Sequence, residues 1–273
     1  MTVLIVMVVM LVNMIGQTAA SIGAATGRID AGDSGRTMVD RMGRDLQLLV
    51  SQGGATVVVG ETSTGTVPDQ FIAFLSRIRG PNDTTGAESP RLTSLLYAVK
   101  PYEDKALKVA GVPMLWRAYA GVPWENAGSS LPEDALAAMA NNSRLASGTV
   151  AAFDDRILRM AMAVQVQDGT FVTVDQAPRM ANFASNPALS TNCYPLDLTR
   201  VKAVVVAVAV LDVDTRVKVR SFFTQIAQSL PVPVAGKTPM DAWQAAVDGG
   251  SLNTLPLPVR QNIRFYQRIF PLQ

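Results

Sequence analysis

The sequence predicts an α+β protein in which one long N-terminal helix packs on an antiparallel β-sheet head that also carries short helices. Residues 1–15 are uncharged and almost wholly apolar, and a helical pattern continues to residue 50. Beyond that point, short apolar segments rich in β-branched and aromatic residues alternate with turn-forming residues, which is typical of strands. We therefore divide the chain into an N-terminal helix, residues 1–50, and a soluble β-rich head, residues 51–273.

The first half of the helix, residues 1–27, is predicted to lie in a membrane or in the core of a helix bundle. Arg28 is the first ionisable side chain, and residues 16–26 are small and weakly polar. A spanning helix needs about 20 apolar residues, a length that the segment reaches only when these small residues are included. An uncleaved signal anchor is the alternative interpretation of this segment. The residues predicted to pack in a helix bundle are Val3, Leu4, Val8, Leu11 and Ile15.

The second half of the helix, residues 28–50, is amphipathic. Apolar side chains recur at helical spacing, with Asp and Arg residues between them, so one face is expected to be apolar and the other charged. We predict that Val39, Met42 and Leu46 hold the helix to the head.

Composition argues against an enzyme. The chain contains no histidine, which removes Ser-His-Asp and Cys-His catalysis, His-containing zinc sites and the side chain best suited to proton transfer near neutral pH. Cys193 is the single cysteine, and a buried apolar role is favoured for it over a reactive thiol. A net charge of +2 without a basic cluster argues against nucleic acid. We predict no catalytic residues, no cofactor and no small-molecule substrate.

The head is predicted to be mainly strands. The apolar segment 201–211 is rich in valine and too short to span a bilayer, which favours a central strand buried on both faces. Asp168-Gly169 is the two-residue turn of a hairpin. The other predicted strands are 55–60, 71–78, 91–100, 114–120, 157–166 and 171–174, with surface segments at 80–90 and 175–200.

Short helices are predicted at 130–141, 215–230 and 240–247, each begun by a capping or proline signal or ended by a Gly or Pro. The C-terminal tail, 259–272, is preferred as a last strand. Its alternative is a basic surface for acidic lipid or a partner, because Arg260, Arg264 and Arg268 follow one another at four-residue steps.

The N-terminal region resembles the N-terminal helix of type IV pilins and type II secretion pseudopilins. The apolar segment Thr2–Val12 is similar to theirs, and Arg36–Leu46 is similar to the helix end of J-type minor pseudopilins, where Arg-Asp-Leu closes the helix. The wider pattern is closest to the pilin-like "cassette protein C" family of Verrucomicrobia, which has a segment like Ala25–Asp30 before the helix end. The strand with Tyr97, followed by one with Leu-Trp-Arg117, resembles the pseudopilin meander.

The family's prepilin motif, Gly-Phe-Thr-Leu-x-Glu after a basic leader, is absent: no Glu precedes Glu61 and no Phe precedes Phe71. We expect Met1 to be an internal methionine, with the peptidase site upstream. The resemblance also raises a weak calcium candidate at Asp212 and Asp214, since major pseudopilins bind calcium. Helix capping by Asp214 is the simpler interpretation.

The resemblance implies a structural minor pilin-like subunit of a type IV pilus or type II secretion-like assembly. Its helix would be stored in the inner membrane and its head would lie in the periplasm, or at the cell surface after assembly. Its partners would be other minor and major pilin-like subunits. The alternative is a single-pass membrane-anchored extracytoplasmic binding domain that does not polymerise.

Overall fold

The computed structural model of the chain describes residues 2–50, 57–61, 70–78, 92–104, 109–122, 149–154, 156–179 and 193–272. Over these residues the protein combines one long apolar N-terminal helix with two antiparallel sheets and short helices, so the predicted α+β class is confirmed. The loop predicted at 80–90, the helix predicted at 130–141 and residues 180–192 of the predicted surface segment 175–200 lie outside the described residues.

The N-terminal helix α1 is continuous from Thr2 to Gln47. Residues 3–26 are exposed where their side chains are described, whereas a stripe of the second half is buried. The chain leaves α1 through backbone hydrogen bonds to the edge of a strand: Arg77 N donates to Leu48 O at 2.9 Å, and Val50 N donates to Leu75 O at 3.0 Å. These bonds satisfy backbone groups that the end of a helix would otherwise leave unpaired.

Within the described residues, ten strands form two sheets in which every pairing is antiparallel. In chain order they are β1 (Val57–Glu61), β2 (Gln70–Ser76), β3 (Leu92–Asp104), β4 (Val109–Val122), β5 (Thr149–Asp154), β6 (Ile157–Val166), β7 (Phe171–Val172), β8 (Cys193–Pro195), β9 (Val201–Val210) and β10 (Arg264–Pro271). The six-stranded sheet has the order β5-β4-β3-β2-β1-β8, and the four-stranded sheet has the order β10-β9-β6-β7.

The valine-rich strand β9 is central in the four-stranded sheet and is buried on both faces, as predicted. The predicted hairpin between β6 and β7 is also present. Gly169 adopts φ 90° in its turn, a conformation that glycine reaches without strain, and Val166 N donates to Thr170 O across it.

The main core lies between the two sheets and is completed by α1. The side chains that meet there share full or nearly full burial and come from three layers. From α1 they include Met38 and Met42; from the six-stranded sheet, Ile72, Phe74, Leu95 and Tyr97; and from the four-stranded sheet, Met160, Met162, Val204, Val206, Val208 and Phe270. The second half of α1 is therefore an integral layer of the head.

In the part of the chain that the structure describes, four short helices cover the outer face of the four-stranded sheet. They are α2 (Val213–Lys218), α3 (Phe223–Ser229), α4 (Pro239–Asp248) and α5 (Leu257–Asn262). Trp243 of α4 is fully buried in this second core and donates from Nε1 to Pro231 O at 3.0 Å. The helix predicted at 240–247 is confirmed, with a capping box between Thr238 and Asp241.

The single helix predicted at 215–230 was wrong, because a 3-10 turn at Arg220–Phe222 separates α2 from α3. The turn places Phe223 and Ile226 in the core and leaves Phe222 36% exposed. A continuous helix would have put Phe222 on the same buried face as its neighbours. Phe223 and Ile226 pack with residues of β6 and β9 in the second core, and the sequence contains no Pro or Gly at the break.

The C-terminal tail contains α5 and then β10, the edge strand of the four-stranded sheet. The preferred interpretation as a last strand is confirmed. The three arginines of the alternative do not share one element: Arg260 lies on α5, and Arg268 on β10 forms an ion pair with Asp40 of α1. Contact of this basic surface with acidic lipid or a partner stays a prediction.

Candidate functional site

The first candidate site is the exposed half of α1. The residues predicted for helix-bundle packing are exposed along this helix: Val3 72%, Leu4 69%, Val8 50%, Leu11 59% and Ile15 61%. The helix is long and apolar enough to cross a membrane, and its apolar part is not buried by the rest of the described protein. Exposed apolar surface of this extent is unfavourable in water, so this half of α1 is suited to lipid or to other apolar helices.

Two threonine hydroxyls within this half are satisfied by the helix itself. Thr18 Oγ1 donates to Met14 O at 2.8 Å, and Thr26 Oγ1 donates to Ile22 O at 3.0 Å. These bonds within α1 leave neither hydroxyl proton dependent on water. In an apolar environment such internal bonding is what polar groups require.

The second candidate site is the junction between α1 and the head. Val39, Met42 and Leu46, the residues predicted to hold the helix, are 5%, 0% and 5% exposed and lie in the main core. Ala31 and Met38 are also fully buried there, although the sequence prediction did not include them. Their spacing of seven residues, with Met42 four residues further on, continues the same face of the helix.

A close approach between α1 and β10 depends on glycine. A Cβ atom added at Gly35 would lie 2.3 Å from Cδ2 of Tyr266, and one added at Gly32 would lie 3.0 Å from the Tyr266 hydroxyl oxygen. Real Cβ atoms do not approach another heavy atom at 2.3 Å, so Gly35 allows the aromatic ring to lie directly on the helix backbone.

Asp45, Tyr97 and Arg117 form a buried polar cluster where α1 ends. The Tyr97 hydroxyl donates to Asp45 Oδ2 at 2.5 Å, and Arg117 Nη2 lies 2.9 Å from the same oxygen. Arg117 Nε donates to Asp45 Oδ2 and to the Tyr97 hydroxyl, each at 3.0 Å. Asp45 is 2% exposed and Tyr97 is 0% exposed. The cluster joins α1 to β3 and β4, which are distant in sequence.

The electrostatics of this cluster favour a neutral Tyr97. Burial raises the pKa of Tyr97 above its ordinary value, and the adjacent Asp45 carboxylate raises it further. Burial opposes the charge of Arg117, yet Tyr97 and Asp45 keep the pKa of Arg117 above its ordinary value. The arrangement therefore holds a proton on the phenol and a charge on the guanidinium, which suits a fixed structural link rather than proton transfer.

Further polar contacts follow α1 along the head. Ser34 donates to the Asp154 carboxylate, and Arg156 Nη1 donates to Asp30 O at 3.0 Å. Nearer the end of the helix, Ser76 Oγ donates to the backbone oxygen of Asp45 at 3.0 Å. These contacts fix the rotation of α1 about its axis as well as its position.

The weak calcium candidate, Asp212 and Asp214, is not a cluster of ligands. Asp212 is buried, and its Oδ1 accepts from Thr215 N at 2.9 Å, so Asp212 is the cap of α2. The prediction that Asp214 is the cap was wrong: Asp214 lies exposed in the first helical turn. Within the described ranges, no group of three or more His, Cys, Asp or Glu residues could hold a metal ion.

Comparisons of the chain with protein-family models, with curated proteins and with solved structures give no match. The class that the fold itself defines is an antiparallel β head carrying a long N-terminal helix, whose exposed apolar half is a candidate membrane anchor.

Proposed function

We propose that the chain is a minor pilin-like subunit of a type IV pilus or a type II secretion-like assembly. The apolar half of α1 is stored in the inner membrane, with the head in the periplasm, and is then buried among the helices of other minor and major pilin-like subunits. Val3, Leu4, Val8, Leu11 and Ile15 contact those helices. The protein acts through assembly, without catalysis, a cofactor or a small-molecule substrate.

One observation carries this proposal: α1 is a single helix of 46 residues, half exposed and apolar, half packed in the core of the head. A membrane anchor that only tethers a domain needs no rigid connection to it. A subunit that transfers its helix from lipid to a filament core benefits from a rigid connection. The neighbouring subunits pack against the helix, and the helix then sets the orientation of the head.

The family-like motifs give independent support. Asp45 belongs to the Arg-Asp-Leu segment, Tyr97 lies on the tyrosine-bearing strand, and Arg117 ends the Leu-Trp-Arg segment. These three positions belong to the segments that resemble pseudopilins, and their side chains lie together in one buried cluster. A shared structural role explains why the three motifs occur in the same chain.

Photo-crosslinking from the exposed half of α1 tests the proposal. A photoreactive phenylalanine analogue placed at Leu11 should capture protein chains with similar apolar N-terminal helices, identified by mass spectrometry from the native envelope and from sheared filaments. The matched position is Thr170, which is exposed at the β6–β7 turn. Lipid adducts at Leu11 in every fraction, without protein adducts, would refute assembly and leave the alternative of a non-polymerising anchored binding domain.

The mature N-terminus is a second test that does not depend on crosslinking. Mass spectrometry of the protein from its native host should find an N-methylated aromatic residue at the first position of a helix that includes Thr2. A membrane-bound, unprocessed chain that starts at Met1 would contradict the assembly mechanism.

A further inference from the structure

The head begins where the uncharged half of α1 ends. A Cβ atom at Gly27 would lie 3.3 Å from the Asp212 side chain, and Arg28 Nε donates to Asn262 Oδ1 at 3.3 Å. Arg28 is also the first charged residue of the chain. No spacer therefore separates the segment that can span a membrane from the first contacts of α1 with α2 and α5.

Helix geometry places these contacts at the membrane surface. An α-helix rises about 1.5 Å per residue, so the 20 residues before Gly27 extend roughly 30 Å, which matches the hydrocarbon thickness of a bilayer. With those residues in the membrane, Gly27 and Arg28 lie at the level of the lipid headgroups. The end of the head formed by α2 and α5 is then adjacent to the bilayer.

Apolar side chains are exposed at this end of the head. On α2, Val213 and Val217 are four residues apart, share one face, and are 43% and 54% exposed, whereas Thr215 and Arg216 are buried. Leu257, at the start of α5, is 55% exposed. We define Val213, Val217, Leu257, Arg28 and Lys218 as the proximal face.

The charged residues beside these apolar side chains carry a small excess of positive charge. Arg28 and Lys218 are exposed, and Arg260 of α5 is exposed nearby. Asp30 and Asp214 are exposed acidic residues in the same region. Each cation near an anionic membrane surface raises the constant for membrane binding by about fivefold. The basic residues therefore favour acidic lipid where they lie closer to the headgroups than the two aspartates.

We infer that the proximal face rests on the surface of an acidic lipid bilayer. Val213, Val217 and Leu257 insert at the boundary between headgroups and acyl chains, and Arg28 and Lys218 contact lipid phosphates. Because α1 is rigidly packed in the head, this contact holds the head in one orientation on the membrane before assembly. The inference rests on the proposed function, since it requires α1 to lie in the membrane.

The test measures the distance between the proximal face and the lipid in the full chain. Cys193→Ala removes the single cysteine, and Val217→Cys then carries an environment-sensitive fluorophore. The control is Thr170→Cys, which lies beyond the far end of β6, about 33 Å along a ten-residue strand. Both proteins are reconstituted in phosphatidylcholine vesicles with and without phosphatidylglycerol, and quenching by a headgroup-attached nitroxide is measured.

The expected result is strong quenching at position 217, increased by phosphatidylglycerol, and little quenching at position 170. Lys218→Glu should reverse the effect of phosphatidylglycerol. Equal quenching at both positions in chains that float with the vesicles would overturn this inference and leave the membrane anchor intact. Failure to float would overturn both the inference and membrane storage. A disulfide-linked dimer of the unlabelled Val217→Cys protein, together with no quenching of the labelled protein, would show that a second copy occupies the face instead.

Hydrogen exchange of the unlabelled chain gives a second measurement, free of any effect of the label on folding. Amides of α2 should be protected by acidic vesicles relative to detergent, while amides of the β6–β7 turn should not change. Identical exchange of α2 in the two environments would contradict the inference.

Discussion

Replacing Asp45 with asparagine should destabilise the head far more than any other neutralisation of a carboxylate on α1. The side chain of Asp45 is 3% exposed and that of Arg117 is 12% exposed, so the change leaves a mostly buried guanidinium without its counter-charge. Removing one partner of a buried ion pair typically costs about 3–5 kcal/mol. Because Arg117 retains some contact with water, we expect the lower end, about 3 kcal/mol.

The matched control is Asp40→Asn on the same helix. Asp40 forms an ion pair with Arg268, but the two side chains are 63% and 42% exposed. Exposed pairs contribute about 0–1 kcal/mol, so this change should barely affect stability. Comparison of the two variants separates burial from the mere presence of an ion pair.

The assay is thermal and urea unfolding of the full chain in detergent, followed by circular dichroism. For a domain of this size, 3 kcal/mol corresponds to a decrease in Tm of roughly 6–12 °C. The double variant Asp45→Asn/Arg117→Met should be less destabilised than the sum of the single variants, because the unpaired charge is then removed. If Asp45→Asn is within about 1 kcal/mol of the wild type and of Asp40→Asn, the argument that the cluster fixes α1 to the head is refuted.

Two further predictions concern the junction between α1 and the head, and a third concerns the cap of α4. Gly35→Ala should lower the free energy of urea unfolding by about 1–3 kcal/mol, because the added methyl group would collide with Tyr266. The control Gly23→Ala, where a Cβ atom would have nothing within 4 Å, should leave the free energy of unfolding unchanged. Equal effects of the two variants would refute the close approach between Gly35 and Tyr266. Because the pKa of Tyr97 is raised in the native state, the native protein keeps the phenol proton to a higher pH than the unfolded chain does. The free energy of unfolding should therefore fall as the pH rises above about 10. A pH series of urea unfolding should show a smaller decline in Tyr97→Phe, and parallel curves would contradict this assignment. Thr238→Ala should lower the free energy of unfolding by about 1 kcal/mol by removing the cap of α4. Wild-type stability in Thr238→Ser would distinguish capping from packing.

Elements whose burial is encoded locally could be predicted from the sequence. Val39, Met42 and Leu46 recur at helical spacing, and the valines of β9 leave no polar face, so each pattern specifies one environment. The buried stripe of α1 and the central position of β9 follow from those patterns.

Features that depend on distant parts of the chain could not be predicted in the same way. Asp45 is charged and looked like part of the solvent face, yet it lies three residues after Met42 and seven after Met38, on the apolar side of α1. That position was the one available signal. Its partners, Tyr97 and Arg117, are 52 and 72 residues away, and only the sheet register places them together. The contact of Gly35 with Tyr266 could not be predicted from the sequence for the same reason.

The energetics of the exposed half of α1 limit how such a helix can be used. Twelve large apolar residues between Val3 and Ile15 are exposed, and each contributes about 1.5–3 kcal/mol when buried, which gives roughly 20–35 kcal/mol in total. A folded domain is stable by only about 5–15 kcal/mol. Pulling α1 by its head into water would therefore unfold the head before the helix left the membrane. Helix transfer is feasible only if other apolar helices replace lipid as it leaves, and the intact junction at Asp45 then has to resist only the small difference between the two environments.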